Sequence, residues 1–209
     1  MTYQEKSKEL CFIINPYSGK KNSIESFNKF NSLYLKNNTN LFDSFITNNI
    51  NDIQKIIIKK YKYIIFVGGD GTISSFIQKK NLQDIIIGTI PSGSGNALSY
   101  SLLYQKYNGR KIIFQKKTKI TKDLIYLNLF NAITNHYYKE IDTMQISFLE
   151  SKKKLTSFLF IACGIFANID LDTEWLRWMG NFRFTLGAIY ELIKYIIFGN
   201  NIYAELEYV

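Results

Sequence analysis

Histidine occurs once in these 209 residues, and cysteine and proline twice each. A histidine zinc site or a Ser-His-Asp triad would have to rest on His136 alone, which stands in a polar turn, Asn135-His136-Tyr137, that reads as exposed. Cys11 and Cys163 each lie in an apolar run, the pattern of buried free thiols in a reducing compartment and not of a disulfide framework or metal cage. Long hydrophobic runs are missing too. The longest, Phe158 to Ile169, is short of the roughly 20 residues a helix needs to span a bilayer, and it contains a glycine. Met1 to Glu9 is polar and charged, unlike a secretory signal. The expectation is a cytoplasmic protein, soluble or peripherally associated with a membrane.

What the chain does have is apolar bulk and positive charge. Its hydrophobic fraction of 46% and aromatic fraction of 16% suffice for a core and argue against disorder. A net charge of +9 favours anionic partners, such as nucleotide phosphates or an acidic membrane surface. The lysines are spread thinly, with small clusters at Lys59-Lys60, Lys116-Lys117 and Lys152-Lys153-Lys154. No arginine-rich stripe with interleaved aromatics appears, so no nucleic-acid partner is expected.

The chain is organised around Phe66-Val67-Gly68-Gly69-Asp70-Gly71-Thr72. An apolar run, Tyr63 to Val67, reads as a buried parallel strand, and Ile73 to Lys79 reads as the start of a helix. Glycines at 68, 69 and 71 let the backbone turn sharply and approach a ligand. Amides of such a turn, with the helix N-terminus behind them, form a cradle for phosphate. A carboxylate among phosphate-facing amides suits a role in holding Mg²⁺ or taking a proton from an attacking hydroxyl. A structural alternative stands beside it, with Asp70 as the helix cap.

Strand–turn–helix recurs along the first half. Leu10 to Ile14 reads as a strand stopped at Asn15-Pro16, and Ser23 to Tyr34 as a helix with Ile24, Phe27, Phe30 and Tyr34 at helical spacing. Leu41 to Thr47 follows as a strand, then a helix from Asn51 or Asp52 through Ile53, Ile56, Ile57 and Tyr61. Ile85 to Ile90 is the next strand, followed by Pro91-Ser92-Gly93-Ser94-Gly95-Asn96 and a helix from Ala97 to about Gln105. This is the pattern of a doubly wound α/β domain whose strand C-termini share the ligand-binding edge. Both prolines, Pro16 and Pro91, sit at strand exits on that edge.

Beyond Gly109 the pattern changes. Ile120 to Ile133 reads as a helix, and Tyr137 to Phe148 and Lys154 to Phe166 as long antiparallel strands. Asp170 to Gly180 and Phe184 to Phe198 read as helices. The last carries Leu186, Ile189, Tyr190, Ile193, Ile196 and Ile197 on one broad face, suited to core packing or to the wall of a lipid pocket. Ile202 to Val209 begins another strand in which the chain stops, so the second domain is expected to be incomplete.

The three polar corners together resemble the diacylglycerol kinase/sphingosine kinase superfamily of lipid kinases. They are Asn15-Pro16-Tyr17-Ser18-Gly19-Lys20, Gly68-Gly69-Asp70-Gly71-Thr72 and Pro91-Ser92-Gly93-Ser94-Gly95-Asn96-Ala97-Leu98. Ala167-Asn168-Ile169-Asp170-Leu171 and Arg177 to Gly187 are similar to the sphingosine kinase branch. NAD kinases share the GGDGT turn but differ from Ser92 to Asn96. The resemblance implies a Rossmann-like nucleotide-binding domain over 1–108. Over 109–209 it implies a partial antiparallel β-sandwich lipid domain with lid helices, C-terminally truncated.

It also implies roles for named residues. Asn15, Pro16 and Tyr17, the stretch from Thr47 to Asn51, Gly69, Gly71 and Thr72, and Gly93, Ser94 and Gly95 would line the ATP site. Gly68 to Gly71 would separate ATP from the lipid, with Asp70 accepting the proton of its primary hydroxyl. Arg177 and Arg183 match positions that hold nucleotide phosphates, and Asp170 the carboxylate that recognises the sphingoid head. Asp170 equally suits a helix N-cap before Leu171-Asp172-Thr173-Glu174. The implied reaction is ATP- and Mg²⁺-dependent phosphorylation of a sphingoid base, sphingosine to sphingosine 1-phosphate, with a peripheral anionic membrane as partner. A diacylglycerol kinase-like enzyme and a non-catalytic nucleotide- or lipid-binding paralogue remain alternatives. Departures from the family pattern are Tyr17 in place of arginine, Ser75 in place of an acid, Phe160 in place of a hydroxyl, and a later acidic segment that lies beyond Val209.

Overall fold

Leu10-Cys11-Phe12-Ile13-Ile14 has an apolar side chain at every position, as a strand must when both faces of its sheet are covered. In the computed structural model these residues form β1 (Leu10–Ile14), buried throughout. Residues 8–49, 52, 56, 58–79, 84–106, 121–148, 152–160, 162, 164–180 and 182–199 are described. β2 (Phe42–Ile46), β3 (Tyr63–Gly68) and β4 (Ile86–Pro91) complete a parallel sheet in the order β2-β1-β3-β4. Leu10 pairs with both Phe42 and Tyr63, and Tyr63 pairs with Ile86. The chain therefore leaves β1 in one direction for β2 and returns to its other side for β3, so the switch point lies between the C-termini of β1 and β3.

Helices cover both faces. α1 (Ser23–Phe30) runs on as a turn of π-helix, Asn31–Leu35, ended by Lys36 in the left-handed conformation. Phe27 and Phe30 pack on Phe12 while Ile24, expected on the same face, is exposed. The π turn keeps Tyr34 packed between Phe30 and Phe130, its ring tilted against each. α2 (Asp70–Ile77) and α3 (Ala97–Lys106) place Ile73, Phe76 and Leu98 against Cys11, Ile13, Ile64 and Phe66 on the opposite face. α4 (Lys122–Thr134), capped by the Thr121 hydroxyl, lays Tyr126 beside α1. Each such buried aromatic or aliphatic side chain contributes about 1.5–3 kcal/mol. The helix expected from 51 to 61 falls mostly outside the described residues; a short 3₁₀ turn, Ile58–Lys60, precedes β3.

At the N-terminal edge of the sheet, away from the switch point, Asp43 accepts hydrogen bonds from the Tyr61 hydroxyl (2.6 Å), Lys60 Nζ (2.9 Å) and Lys8 Nζ (3.0 Å). These bonds, Tyr61's foremost, hold its carboxyl far below the usual carboxylate range against the opposing effect of burial. His136 is exposed, as expected, and its Nδ1 hydrogen-bonds the Tyr63 hydroxyl.

β5 (Met144–Ser147) and β6 (Lys154–Ser157) form an antiparallel pair. The side-chain amide of Gln78, just past α2, donates to Thr156 O (2.5 Å) and accepts from Thr156 N–H (2.9 Å), mimicking one more strand. Both strands are much shorter than expected, and residues 137–143 carry no regular structure. The stretch expected to continue as strand to Phe166 turns into a helix. α5 (Ile165–Asp172) begins after Gly164, so Asp170 lies near its end and is not an N-cap.

The chain divides into two compact units, one ending at Leu159 and one beginning at Phe160. The boundary expected at 108/109 and the strand expected from Ile202 lie outside the described residues. The second unit contains α5, a 3₁₀ segment (Glu174–Met179) and α6 (Phe182–Phe198). Among the described residues no helix is long and apolar enough to cross a membrane. The residues of α6 that are buried are Arg183, Gly187 and Glu191, four apart on one stripe, while the apolar face expected to pack is exposed. Gly187 permits the approach to α5: a Cβ there would press on Thr173 and Ile169 side chains.

Candidate functional site

Three loops leave the C-terminal ends of β1, β3 and β4 and meet. The β-ladder carries past each strand, with Asn15 N–H donating to Val67 O and Ser92 N–H to Gly68 O, both at 3.0 Å. Asn15 then divides its amide. Its Oδ1 accepts from Tyr17 N–H, closing the turn, and its Nδ2 donates to Thr72 Oγ1, each at 3.0 Å. The first loop is thereby tied to the first turn of α2 across the switch point.

Close backbone contact joins the other corners. A Cβ on Gly93 would overlap Gly69 Cα, so the second and third loops touch main chain to main chain. Gly19, at φ +54°, would with a side chain strike the Ser92 carbonyl. Beneath them the hydroxyls of Ser23 and Ser92 share a buried 2.7 Å hydrogen bond. Asn96, at positive φ, bonds Gly93 N–H (2.8 Å) and Gly93 O (2.7 Å) with its side chain.

That engagement leaves the N-terminus of α3 without a cap from its own flank. Asp70 supplies one from 27 residues away: Oδ2 accepts from Ala97 N–H at 2.7 Å and Oδ1 from Leu98 N–H at 3.1 Å. Asp70 thus opens α2 and caps a different helix from the one expected. Its carboxylate is half-buried, oriented by two amides, and Gly95 leaves the approach to Oδ2 unobstructed by a side chain.

Beside this junction lies a cleft of about 250 Å³, lined by Asn15, Tyr17, Thr47, Asn48, Asn49, Gly71, Thr72 and Ser75. Thr47 is buried and donates to Ile14 O (3.2 Å), and the Asp52 carboxylate accepts from Asn48 and Asn49 N–H, which shapes this wall. The lining side chains are amides and hydroxyls plus one phenol, a surface for hydrogen-bonding an uncharged ring or a sugar. Of the residues expected at an ATP site, Asn15, Tyr17, Thr47, Asn48, Asn49, Gly71 and Thr72 meet here. Gly69, Gly93, Ser94 and Gly95 form the neighbouring loop junction, with Gly68 ending β3 and Pro16 in the β1 turn. Asn51 and the side chain of Arg177 lie outside the described residues. The buried Ser23–Ser92 pair and the capping of α3 by Asp70 were not anticipated; each joins residues far apart in the chain, and only the serine inside the third motif hinted at the first.

In the second unit Asp170 and Arg183 are bonded to each other. Arg183 Nη2 donates to Asp170 Oδ1 at 2.6 Å, and Nη1 lies 3.3 Å from both Asp170 O and Thr173 Oγ1. The guanidinium sits 4.2 Å from the Phe184 ring centroid, with Glu174 at 3.8 Å. The arginine side chain is only 5% exposed and the aspartate 62%. Nearby, Asn168 donates to the buried Glu191 carboxylate (3.1 Å), and that bond holds Glu191 below the usual carboxylate range.

A family model of the diacylglycerol kinase catalytic domain matches residues 9–146. The chain is 29% identical over 204 residues to sphingoid long chain base kinase 5 of Saccharomyces cerevisiae, covering 90% of this chain and 27% of that protein. It is 25% identical to sphingosine kinase 2 of Arabidopsis thaliana, covering 89% and 38%, respectively. It is 23% identical to sphingosine kinase 1 of Homo sapiens, covering 86% and 47%. The chain thus spans about a quarter to a half of the length of these relatives.

Proposed function

The chain belongs to the family of the diacylglycerol kinase catalytic domain, and from that membership we propose that it is a lipid kinase that phosphorylates the primary hydroxyl of a sphingoid base with ATP. The observation that carries this reading is Asp70, held by two amides at the meeting point of three glycine-bearing loops beside the cleft. The names of the relatives support a sphingoid acceptor.

In this reading the nucleoside part of ATP occupies the cleft against Asn15, Tyr17 and Thr47. The phosphates face Gly69 and the Gly93-Ser94-Gly95 loop, where the glycines leave the main chain open to close approach. The lipid hydroxyl approaches along Gly68 to Gly71, its oxygen bonds the γ-phosphorus as the bond to the β-phosphate oxygen breaks, and its proton passes to Asp70. In a loose transition state the nucleophile keeps its proton until late, so little is asked of the Asp70 carboxylate as a base. Its larger contribution is orientation, with both oxygens held by α3.

Magnesium is carried on the nucleotide in this reading. Among the described residues no three His, Cys, Asp or Glu side chains gather as a cage, and the cleft wall carries amide and hydroxyl oxygens that fit the ion's hydration shell. When bound, it supplies charge neutralisation at the phosphate oxygens. The net charge of +9 supports an anionic membrane surface as the place where lipid is met.

Transfer of labelled phosphate from ATP to sphingosine and to diacylglycerol, by wild type and Asp70→Asn, tests the proposal. Wild type is expected to label sphingosine, and Asp70→Asn to lose about 10²–10⁴-fold in rate while still binding ATP. The substitution also replaces one cap acceptor by an amide donor, at about 1 kcal/mol in stability. Label on diacylglycerol alone would reassign the acceptor. Near-normal turnover by Asp70→Asn would remove Asp70 from the chemistry.

A further inference from the structure

A hydroxyl pair beneath the loop junction takes no part in the chemistry assigned to Asp70. Ser23 opens α1 with no exposed surface, Ser92 is 4% exposed, and their oxygens lie 2.7 Å apart. Two hydroxyls buried this deeply are costly unless bonded, and once bonded they fix one direction and one distance. The pair joins the helix that follows the first loop to the residue that begins the third. We infer that Ser23 and Ser92 are positioning residues: their bond places the Gly93-Ser94-Gly95 loop relative to the cleft, so that one nucleotide meets both in register. This rests on the reading of cleft and loop as the nucleotide site.

Shape and placement of the third loop have separate sources. Asn96 closes the loop on itself through Gly93 N–H and Gly93 O, which sets its shape. Those bonds do not say where the loop lies. Gly93 and Gly95 have no side chains with which to anchor it, so placement falls to the residue in front of them. Ser92 supplies it through a main-chain bond to Gly68 O and the hydroxyl bond to Ser23. The first loop is held independently, by Asn15 N–H on Val67 O and Asn15 Nδ2 on Thr72 Oγ1. Loss of the hydroxyl bond therefore leaves the cleft as it is and lets the third loop sample other positions. A nucleotide whose phosphates must reach that loop then binds in proportion to the fraction of molecules with the loop in place, whereas the nucleoside alone does not.

Ser23→Ala, Ser92→Ala and the double variant are compared with wild type by thermal melting and by equilibrium dialysis against labelled ATP, with adenosine as competitor. Each single substitution strands the partner's hydroxyl and is expected to lower the melting temperature by about 2–5 °C. The double variant has no hydroxyl left to satisfy and should recover most of that loss. ATP is expected to bind about three- to tenfold more weakly to all three variants, the double included, with adenosine affinity within about twofold of wild type. A pair that serves packing alone would not part affinity from stability in this way. ATP affinity restored together with melting temperature in the double variant overturns the inference, as does unchanged ATP affinity in the single variants. Equal weakening of ATP and adenosine overturns it too, since the pair would then support the whole site. Should a single variant fail to fold, the double carries the same comparison. Wild type that binds neither ATP nor adenosine would remove the nucleotide reading itself, and the inference with it.

Discussion

Asp43 and Asp70 are both half-buried carboxylates that accept several hydrogen bonds, yet they sit at opposite edges of the sheet and answer to different demands. Asp43 is tied to Lys8, Lys60 and Tyr61 at the strand N-termini, where its charge is fully spent on structure. Its folded pKa lies below the value of about 3.9 expected unfolded, so the native state favours the ionised form. The stability it contributes is complete above that unfolded value and is lost as pH falls through the folded one. Asp43→Asn is expected to cost about 1–3 kcal/mol near neutral pH and to flatten the fall in melting temperature between about pH 5 and pH 2. Parallel melting curves for the two proteins over that range would show that the cluster contributes nothing. The place of Asp70 at a turn between strand and helix was legible in the sequence, because glycines on either side of it end an apolar run. Its partners were not, since nothing local marks Ala97 and Leu98 as the amides it would bind.

Among the elements, α6 inverts the usual arrangement. Arg183, Gly187 and Glu191 face inward, and Ile189, Ile193, Ile196 and Ile197 face out, all at least half exposed. An apolar surface of this kind favours association. Replacing Ile193 with Lys and Ile196 with Glu is expected to reduce concentration-dependent light scattering while changing stability by less than about 0.5 kcal/mol per site. Scattering that does not respond would mean the face is already covered in solution. The helix itself was legible from its spacing, but which face turned inward was not, because an ion pair and an amide–carboxylate bond to α5 decide it. β1, β3 and β4 were read within a residue because strands buried on both faces have no room for polar side chains. From residue 158 to 166 the same reasoning misled: aromatic and β-branched residues suggested a strand, whereas Gly164 at φ +63° turns the chain into α5. Propensity is a weak guide where packing is not continuous.

For the molecule as a whole, the parallel sheet with helices on both faces was readable from four repeats of strand, polar turn and helix. The convergence of the three turns follows from the order β2-β1-β3-β4, which puts their strand exits on one edge. Charge acts at this scale as well. With +9 spread over the chain, the protein is expected to sediment with vesicles containing phosphatidylserine at low salt, and about tenfold less with phosphatidylcholine alone. Raising salt to about 0.5 M should release it, since screening then acts within a few ångströms. Equal binding to both vesicle types would assign the interaction to apolar contact instead. At the centre of the same sheet, Cys11 has no exposed surface, and its thiol is pushed up to about 12, chiefly by burial. It is a tamper seal. Alkylating reagents at neutral pH gain access only in molecules whose strands have come apart, so the pace at which the peptide bearing this thiol gains mass is a clock for the opening of the entire parallel sheet.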